Sequence, residues 1–255
     1  LPSLGRIHPS SIEHRILGRQ SKENGVKIGG FRLNSRSDSI AIVWQGHQLE
    51  LCSGKAIHWP DQKALLVADT HFGKAAAFRK SGIPVPESSS AEDCQRIEDL
   101  IQRTKADSLV LLGDFLHARD GRTQIVRKEL NTWREKMPNL EIHLVRGNHD
   151  LQSGDPWPEL RIHCHPDPWT EFDFDLRHLP VEGEQPPFLA GHLHPGFSLK
   201  EKNGSSLRSP CFLVGKNRII LPAFGSFTGI RKIKPVGDDR IFMTNGQEVI
   251  EVPTY

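Results

Sequence analysis

From Ser39 onward, short apolar runs rich in Ile, Val and Leu recur along the chain, and several stop abruptly at polar residues able to do chemistry. Ile40–Trp44 and Gln48–Cys52 flank Gly46 and predict a hairpin. Ala64–Ala68 is unbroken apolar chain, the pattern of a buried strand, and it delivers Asp69 and His71. Between Ser88 and Thr104, Ile97, Leu100 and Ile101 fall at helical spacing, with Ser90 as a candidate N-cap ahead of Glu92 and Asp93. A second buried strand, Ser108–Leu112, ends in Gly113 and Asp114. Gln124–Lys136 predicts another helix, and Glu141–Val145 a third strand ending in Gly147, Asn148 and His149.

After Asp150 the chain turns rich in Pro, Trp and His, and the strand-like pieces Pro187–Ala190, Cys211–Val214 and Arg218–Pro222 make the second half mostly β. Alternating β and α units favour parallel strands with ligands at their carboxyl ends, so the pattern predicts an α/β sandwich. Its two sheets would meet edge to edge, with helices over the outer faces. No linker or internal repeat divides it, and 255 residues suit one catalytic domain. That domain is expected over residues 39–255. Residues 1–38 carry Arg6, Arg15, Arg19, Lys22, Lys27, Arg32 and Arg36 against Glu13, Glu23 and Asp38, with no sustained hydrophobic period, and read as a basic, disordered extension.

Composition narrows the function classes. A net charge of +2 is too small to argue for nucleic-acid binding by bulk charge, so any such contact needs a local patch. No apolar run approaches the roughly 18 to 20 residues that span a bilayer. Cys52, Cys94, Cys164 and Cys211 are scattered without a C-x-x-C pair, which fits reduced thiols in the cytoplasm and neither a zinc finger nor a thiol nucleophile.

Four short clusters carry the candidate chemistry. In Asp69-Thr70-His71, a two-residue spacing in extended chain would point carboxylate and imidazole to one side. Gly113-Asp114-Phe115-Leu116-His117 places a second carboxylate, able to bridge two ions, at the end of a neighbouring strand. Gly147-Asn148-His149-Asp150 offers an amide oxygen, with Gly147 permitting a tight turn. Gly191-His192-Leu193-His194 repeats the two-residue spacing. Any one cluster alone could be an ordinary turn. Together they form a set of oxygen and nitrogen donors without thiolate, which suits Mn, Fe, Zn or Co better than an all-oxygen Ca or Mg cage. Two-metal sites of this kind stabilise the attacking and leaving oxygens of an in-line displacement at phosphorus.

The order D-x-H, G-D, G-N-H-D, H, G-H-x-H resembles the calcineurin-like metallophosphoesterase superfamily over roughly residues 45 to 230. The resemblance implies two mixed sheets flanked by helices in four αββα layers. It also implies two divalent ions, Mn above all. Asp69, His71, Asp114 and His194 would hold one, and Asp114, Asn148, His192 and one further histidine the other. His163, His165 and His178 all fall in the right interval; His178 is preferred because His178-Leu179-Pro180 looks like the family's H-x-P turn. A metal-bound hydroxide would attack phosphorus. His149 would protonate the leaving oxygen or bind the phosphoryl group, with Asp150 as an orienting partner.

Three further stretches resemble the ligase-associated DNA damage response endonuclease family, often called PdeM: His71-Phe72-Gly73-Lys74 with Phe78–Pro86, Gly191–Gly196, and Leu221-Pro222-Ala223-Phe224-Gly225. That resemblance implies DNA as substrate, with a DNA ligase and a helicase as partners. Many superfamily members have Asp where His117 stands. A histidine there also resembles the superfamily's double-strand-break repair nucleases, or it could serve only to orient His149 or a ligand. Lys74, Arg79 and Lys80 could meet substrate phosphates or form a solvated helix face. The expectation is thus a DNA endonuclease or phosphodiesterase. The alternatives are a phosphoesterase of nucleotides or cyclic nucleotides, and a catalytically silent scaffold.

Overall fold

The computed structural model describes residues 27–28, 31–32, 37–85, 89–170, 172–183, 185–200 and 206–253. Most of the expected extension over residues 1–38 therefore lies outside the described residues. Within it, β1 (Lys27–Ile28) and β2 (Phe31–Arg32) form a short antiparallel ribbon.

The first sheet follows the chain: β3 (Ser39–Trp44), β4 (His47–Cys52), β5 (Ala56–Trp59), β6 (Ala64–Ala68), β7 (Ser108–Leu112), β8 (Glu141–Val145) and β9 (Ile162–His165). Pairing is antiparallel as far as β6 and parallel from β6 to β9. The parallel register is why β6, β7 and β8 finish side by side: Ala68 lies against Leu112, and Leu112 against Val145. The residues that follow all three strands therefore emerge along one edge.

The crossovers are helical. Helix α1 (Lys74–Lys80) and α2 (Ser89–Thr104) join β6 to β7, α3 (Gln124–Lys136) joins β7 to β8, and α4 (Asn148–Ser153) follows β8. On β6 the side chains alternate, Leu65 and Val67 meeting Ile97 and Leu100 of α2 while Leu66 and Ala68 face the opposite way. Val126, Leu130 and Trp133 put the apolar stripe of α3 on the same layer. Thr123 caps α3 by accepting from Val126 N–H at 3.3 Å. Ser90, expected to cap α2, lies inside that helix and accepts from Gly73 N–H.

The second sheet is mixed. β10 (Asp175–Arg177), β11 (Phe188–Ala190) and β14 (Arg218–Ile220) run parallel, and β14 is antiparallel to β13 (Ser206–Val214). The long β13 pairs with β12 (Pro195–Lys200) through its first half and with β16 (Arg240–Thr244) through its second. β15 (Arg231–Lys232) is the edge beside β12, and β17 (Val249–Val252) lies beside β16.

The two sheets pack face to face, which corrects the expected edge-to-edge meeting. Trp44, Trp59, Leu66 and Val110 of the first sheet share one core with Leu176, Leu189, Phe212 and Phe242 of the second. Among the described residues strand-like bridges also join them, Ala68 at the end of β6 with Ala223 just past β14, and Ser37, ahead of β3, with Val249 of β17. Helices flank the first sheet as expected. Among the described residues no helix covers the outer face of the second, where Val181, Phe197 and Leu199 pack over Ala190 and Leu213. After Ser153 the one helical piece among the described residues is the short 3-10 turn Pro158–Leu160, and the connections there are rich in Pro and Gly.

Phe212 is fully buried at the centre of the inter-sheet core. Phe212→Ala should destabilise the domain by about 3–5 kcal/mol, read from urea denaturation; a loss below about 1 kcal/mol would mean the sheets are not held by this core.

Candidate metal centre

Asp69 and His71 share a side by a route different from the extended spacing expected. Asp69 (φ 54°), His71 (φ 47°), Asp114 (φ 51°), His192 (φ 68°) and His194 (φ 46°) all adopt the left-handed conformation, so each loop turns sharply off its strand. For side chains of this kind the conformation costs on the order of 1–3 kcal/mol and persists only where surroundings over-determine it. Here they do. Asp69 N–H and His71 N–H donate to the carbonyls of Gly113 and Asp114 at 3.2 and 2.8 Å, and Phe72 N–H to Phe115 at 2.8 Å. From the second sheet, Phe224 N–H and Gly225 N–H donate to Ala68 and Asp69 at 2.8 and 3.1 Å.

The side chains converge in three groups that could each hold an ion: Asp69, His71 and His194; Asp114, His178 and His192; and His71, His117 and His149, the last built of imidazoles alone. In the first, His194 Nε2 lies 3.5 Å from Asp69 Oδ1 and 3.4 Å from His71 Nε2, which is 3.8 Å from Asp114 Oδ2. In the second, His178 Nε2 lies 2.9 Å from Asn148 Oδ1, 3.1 Å from His192 Nδ1 and 3.4 Å from Asp114 Oδ1. Asp114 thus turns one oxygen toward each of the first two groups. The Nδ1–H of His178 donates to the Leu112 carbonyl at 3.2 Å, leaving Nε2 as a lone pair among other lone pairs. Such an assembly repels itself unless a cation sits within it. Asp69 Oδ1, buried and without a hydrogen-bond partner among the described residues, is the clearest mark that the donors suit a metal.

Glycines make the room. A Cβ on Gly191 would lie 2.6 Å from Asp69 Oδ2, one on Gly113 2.2 Å from His178 Nδ1, and one on Gly147 2.3 Å from Asp114 Oδ1. Gly147 has an ordinary φ of −92°, so space, and not the expected tight turn, requires glycine there.

Asp150 plays a different part from the expected partner of His149. Its Oδ1 accepts from Phe115 and Leu116 N–H at 2.9 and 3.3 Å and its Oδ2 from Gly147 N–H at 2.8 Å, tying the Asp114 and Asn148 loops together. Burial pushes its carboxyl up to about 6 despite these bonds. Burial likewise raises Asp114, against the pull of His178, and lowers His71 and His192. His149 instead sends its Nδ1–H to the His117 carbonyl at 2.5 Å, with its ring stacked on His117 and Nε2 3.9 Å from Asp114 Oδ2.

His117 Nδ1 faces His71 Nδ1 at 3.4 Å; burial and then nearby Lys74 lower its ring to about 4. Lys74, half-buried, is lowered by burial and attracted by Asp114 and Asp69. Arg79 bonds the Val85 carbonyl and Lys80 pairs with Asp120. His163 and His165 stand on β9, away from the donors, with His165 stacked on Trp169 at 3.8 Å. Of the three candidate histidines, only His178 joins the cluster.

Sequence reasoning missed the anchor of the 223–226 strap. Asp93 on α2 accepts from Ser226 N–H at 3.0 Å and its hydroxyl at 2.5 Å; Arg96 lies over the Phe224 ring and donates to its carbonyl. The only signal was the Phe224-Gly225 stretch itself, since a Cβ on Gly225 would lie 2.4 Å from the Thr70 carbonyl.

Residues 63–220 match the calcineurin-like phosphoesterase family, and the chain belongs to that family. The chain is similar to a nuclease, MPE from Pseudomonas putida, at 36% identity and a TM-score of 0.74, covering 84% of this chain and 100% of that one. The phosphoesterase Yfce from E. coli aligns at 17% identity over 74% of this chain and 97% of its own, but a TM-score of 0.37 carries no argument. No curated protein sequence matches. The chain is thus a metal-dependent phosphoesterase of this family, and no helix among its described residues is long and apolar enough to cross a membrane.

Gly147→Ala and Gly191→Ala should each weaken divalent-metal binding at least about tenfold by pushing Asp114 or Asp69 aside, with the circular dichroism of the fold retained. Metal content after dialysis reads the effect, and wild-type affinity in both variants would refute the cradle.

Proposed function

We propose that this protein hydrolyses phosphodiester bonds in DNA with two divalent ions, most suitably Mn. The observation that carries the reading is the pair of donor groups sharing Asp114, with Asp69, His71 and His194 on one side and Asn148, His178 and His192 on the other. Similarity to the nuclease MPE supports a nucleic-acid substrate over a small ester. The repair setting, the PdeM subfamily, the DNA ligase and helicase partners and a cytoplasmic location belong to the same proposal and rest on the motif resemblance.

When bound, the ions supply Lewis acidity and activate the attacking water. The chain's residues do the rest. His149 is oriented by its bond to the His117 carbonyl so that Nε2 stands at the site, where its protonated form can hand a proton to the leaving oxygen. His71 would hold an ion through Nε2; its Nδ1–H would then donate to His117 Nδ1, 3.4 Å away, leaving the His117 proton on Nε2, where it would be offered to a phosphoryl oxygen. Burial keeps His117 neutral at pH 7, and it acts there as a hydrogen-bond donor. Asp150 holds the loops and has no part in proton transfer.

Purified protein with Mn should cleave single-stranded or duplex DNA as well as bis-p-nitrophenyl phosphate, and lose both activities to a chelator. Turnover of the small ester or of cyclic nucleotides with DNA left intact would overturn the nuclease reading; no turnover of any of them would favour a silent scaffold.

His149→Ala should retain both ions while kcat falls by about 10²–10⁴. Loss of metal in that variant would instead make His149 a ligand.

A further inference from the structure

The second sheet ends at an edge strand whose chemistry the phosphoesterase site does not use. β15 runs parallel to β12 from the residue after His194, with Arg231 N–H donating to the His194 carbonyl at 2.9 Å and Ile233 N–H to Gly196 at 3.0 Å. It is therefore anchored to the site by its backbone. Ile233 packs into the outer core, whereas Arg231, Lys232 and Lys234 are exposed. Among the described residues none of these three cations is ion-paired, and no acidic residue occurs between Gly225 and Gly237. Several other cations near the site are already engaged: Lys80 pairs with Asp120, Arg96 with Asp93 at 3.5 Å, and Arg119 and Arg122 donate to backbone carbonyls.

The segment leading into this strand continues the path. Phe227 and Thr228 share a small recess with Thr70, His71 and Lys74. A phenylalanine and a lysine thus line a recess beside the metal donors, and three cations then lead away from His194 along β15 and the two residues after it, about 10 Å of extended chain. A positive track with an aromatic platform is the arrangement that holds single-stranded nucleic acid, phosphates on the cations and a base on the ring. A net charge of +2 spread over the whole chain would not attract a polyanion, but this unbroken local cluster would.

We propose that Phe227, Arg231, Lys232 and Lys234 form a single-strand track that leads a polynucleotide into the phosphoesterase site. The proposal rests on the nuclease reading above. It assigns polymer affinity to a surface outside the metal donors, so polymer and small-ester substrates respond differently to its loss.

The test is fluorescence anisotropy of a labelled oligothymidylate of about 20 nucleotides, in chelator to prevent cleavage, from about 50 to 200 mM salt. The R231A/K232A/K234A variant should bind about tenfold more weakly at the lowest salt and lose about 2 from the slope of log K against log salt, since each single-strand phosphate contact contributes about 0.7. F227A should weaken binding about fivefold with the slope unchanged, as expected for lost stacking. Mn-dependent turnover of bis-p-nitrophenyl phosphate should stay within about twofold of wild type for the triple variant, which also shows that it is folded.

Unchanged affinity and slope in the triple variant would overturn the track. So would unchanged affinity accompanied by self-association, which would assign the charges to protecting a sheet edge. Tighter binding of wild type to duplex than to single strand would overturn the single-strand assignment. Wild type that hydrolyses the small ester but binds no DNA would overturn the track and the nuclease reading together, leaving the hydrolase.

Discussion

Asp69 and Asp114 are buried carboxylates surrounded by imidazole nitrogens that meet lone pair to lone pair, and the loops carrying them sit in left-handed backbone. Among the described residues Lys74 is the ammonium attracted to both carboxylates, and it is itself half-buried. What keeps the donors together is backbone hydrogen bonding. The β6 loop leans on the β7 loop through Gly113, Asp114 and Phe115, and the strap of Phe224 and Gly225 closes it from the other sheet. Asp150 adds three N–H bonds that lock the β7 and β8 loops in one relation. The domain can be read as the frame required to hold an arrangement that a divalent cation would complete.

That frame explains the architecture. A parallel β6-β7-β8 register brings three loops to one edge but supplies only part of a donor set. His178, His192 and His194 come from the second sheet, so the site forms only where the sheets are docked. The apolar contact between them is therefore a condition for the polar one. The same docking leaves β15 running out from His194, which is how a catalytic edge comes to continue into a basic one.

Much of this was legible in the residue order. The apolar runs of Ala64–Ala68 and Ser108–Leu112 showed strands because burial on both faces removes any competing period, Glu141–Val145 showed one by alternating polar Glu141 and His143 with apolar Ile142 and Leu144, and all three have the bounds the pattern predicts. The motifs that follow them marked the donor residues because glycine, carboxylate and imidazole together at a strand end have few other uses. Other elements gave weak signals. β5, β9, β10 and β12 are short or half-buried, with His, Gly and Pro diluting any alternation, and α1 and α4 span 7 and 6 residues, too few to establish a helical period.

By itself, the sequence determined the class of chemistry, the layer of parallel strands and the candidate donors that converge at its edge, since these depend on local residue type and spacing. Only the tertiary structure decided which histidine beyond the motifs joins them, that Asp150 binds backbone and not His149, that Gly147 is there for space, and that the sheets meet by their faces. Each of those outcomes depends on contacts between residues tens of positions apart, such as His178 with Asn148 or Ala68 with Ala223. A pattern read along one chain holds no information about which distant surfaces will share a hydrogen bond or exclude water together.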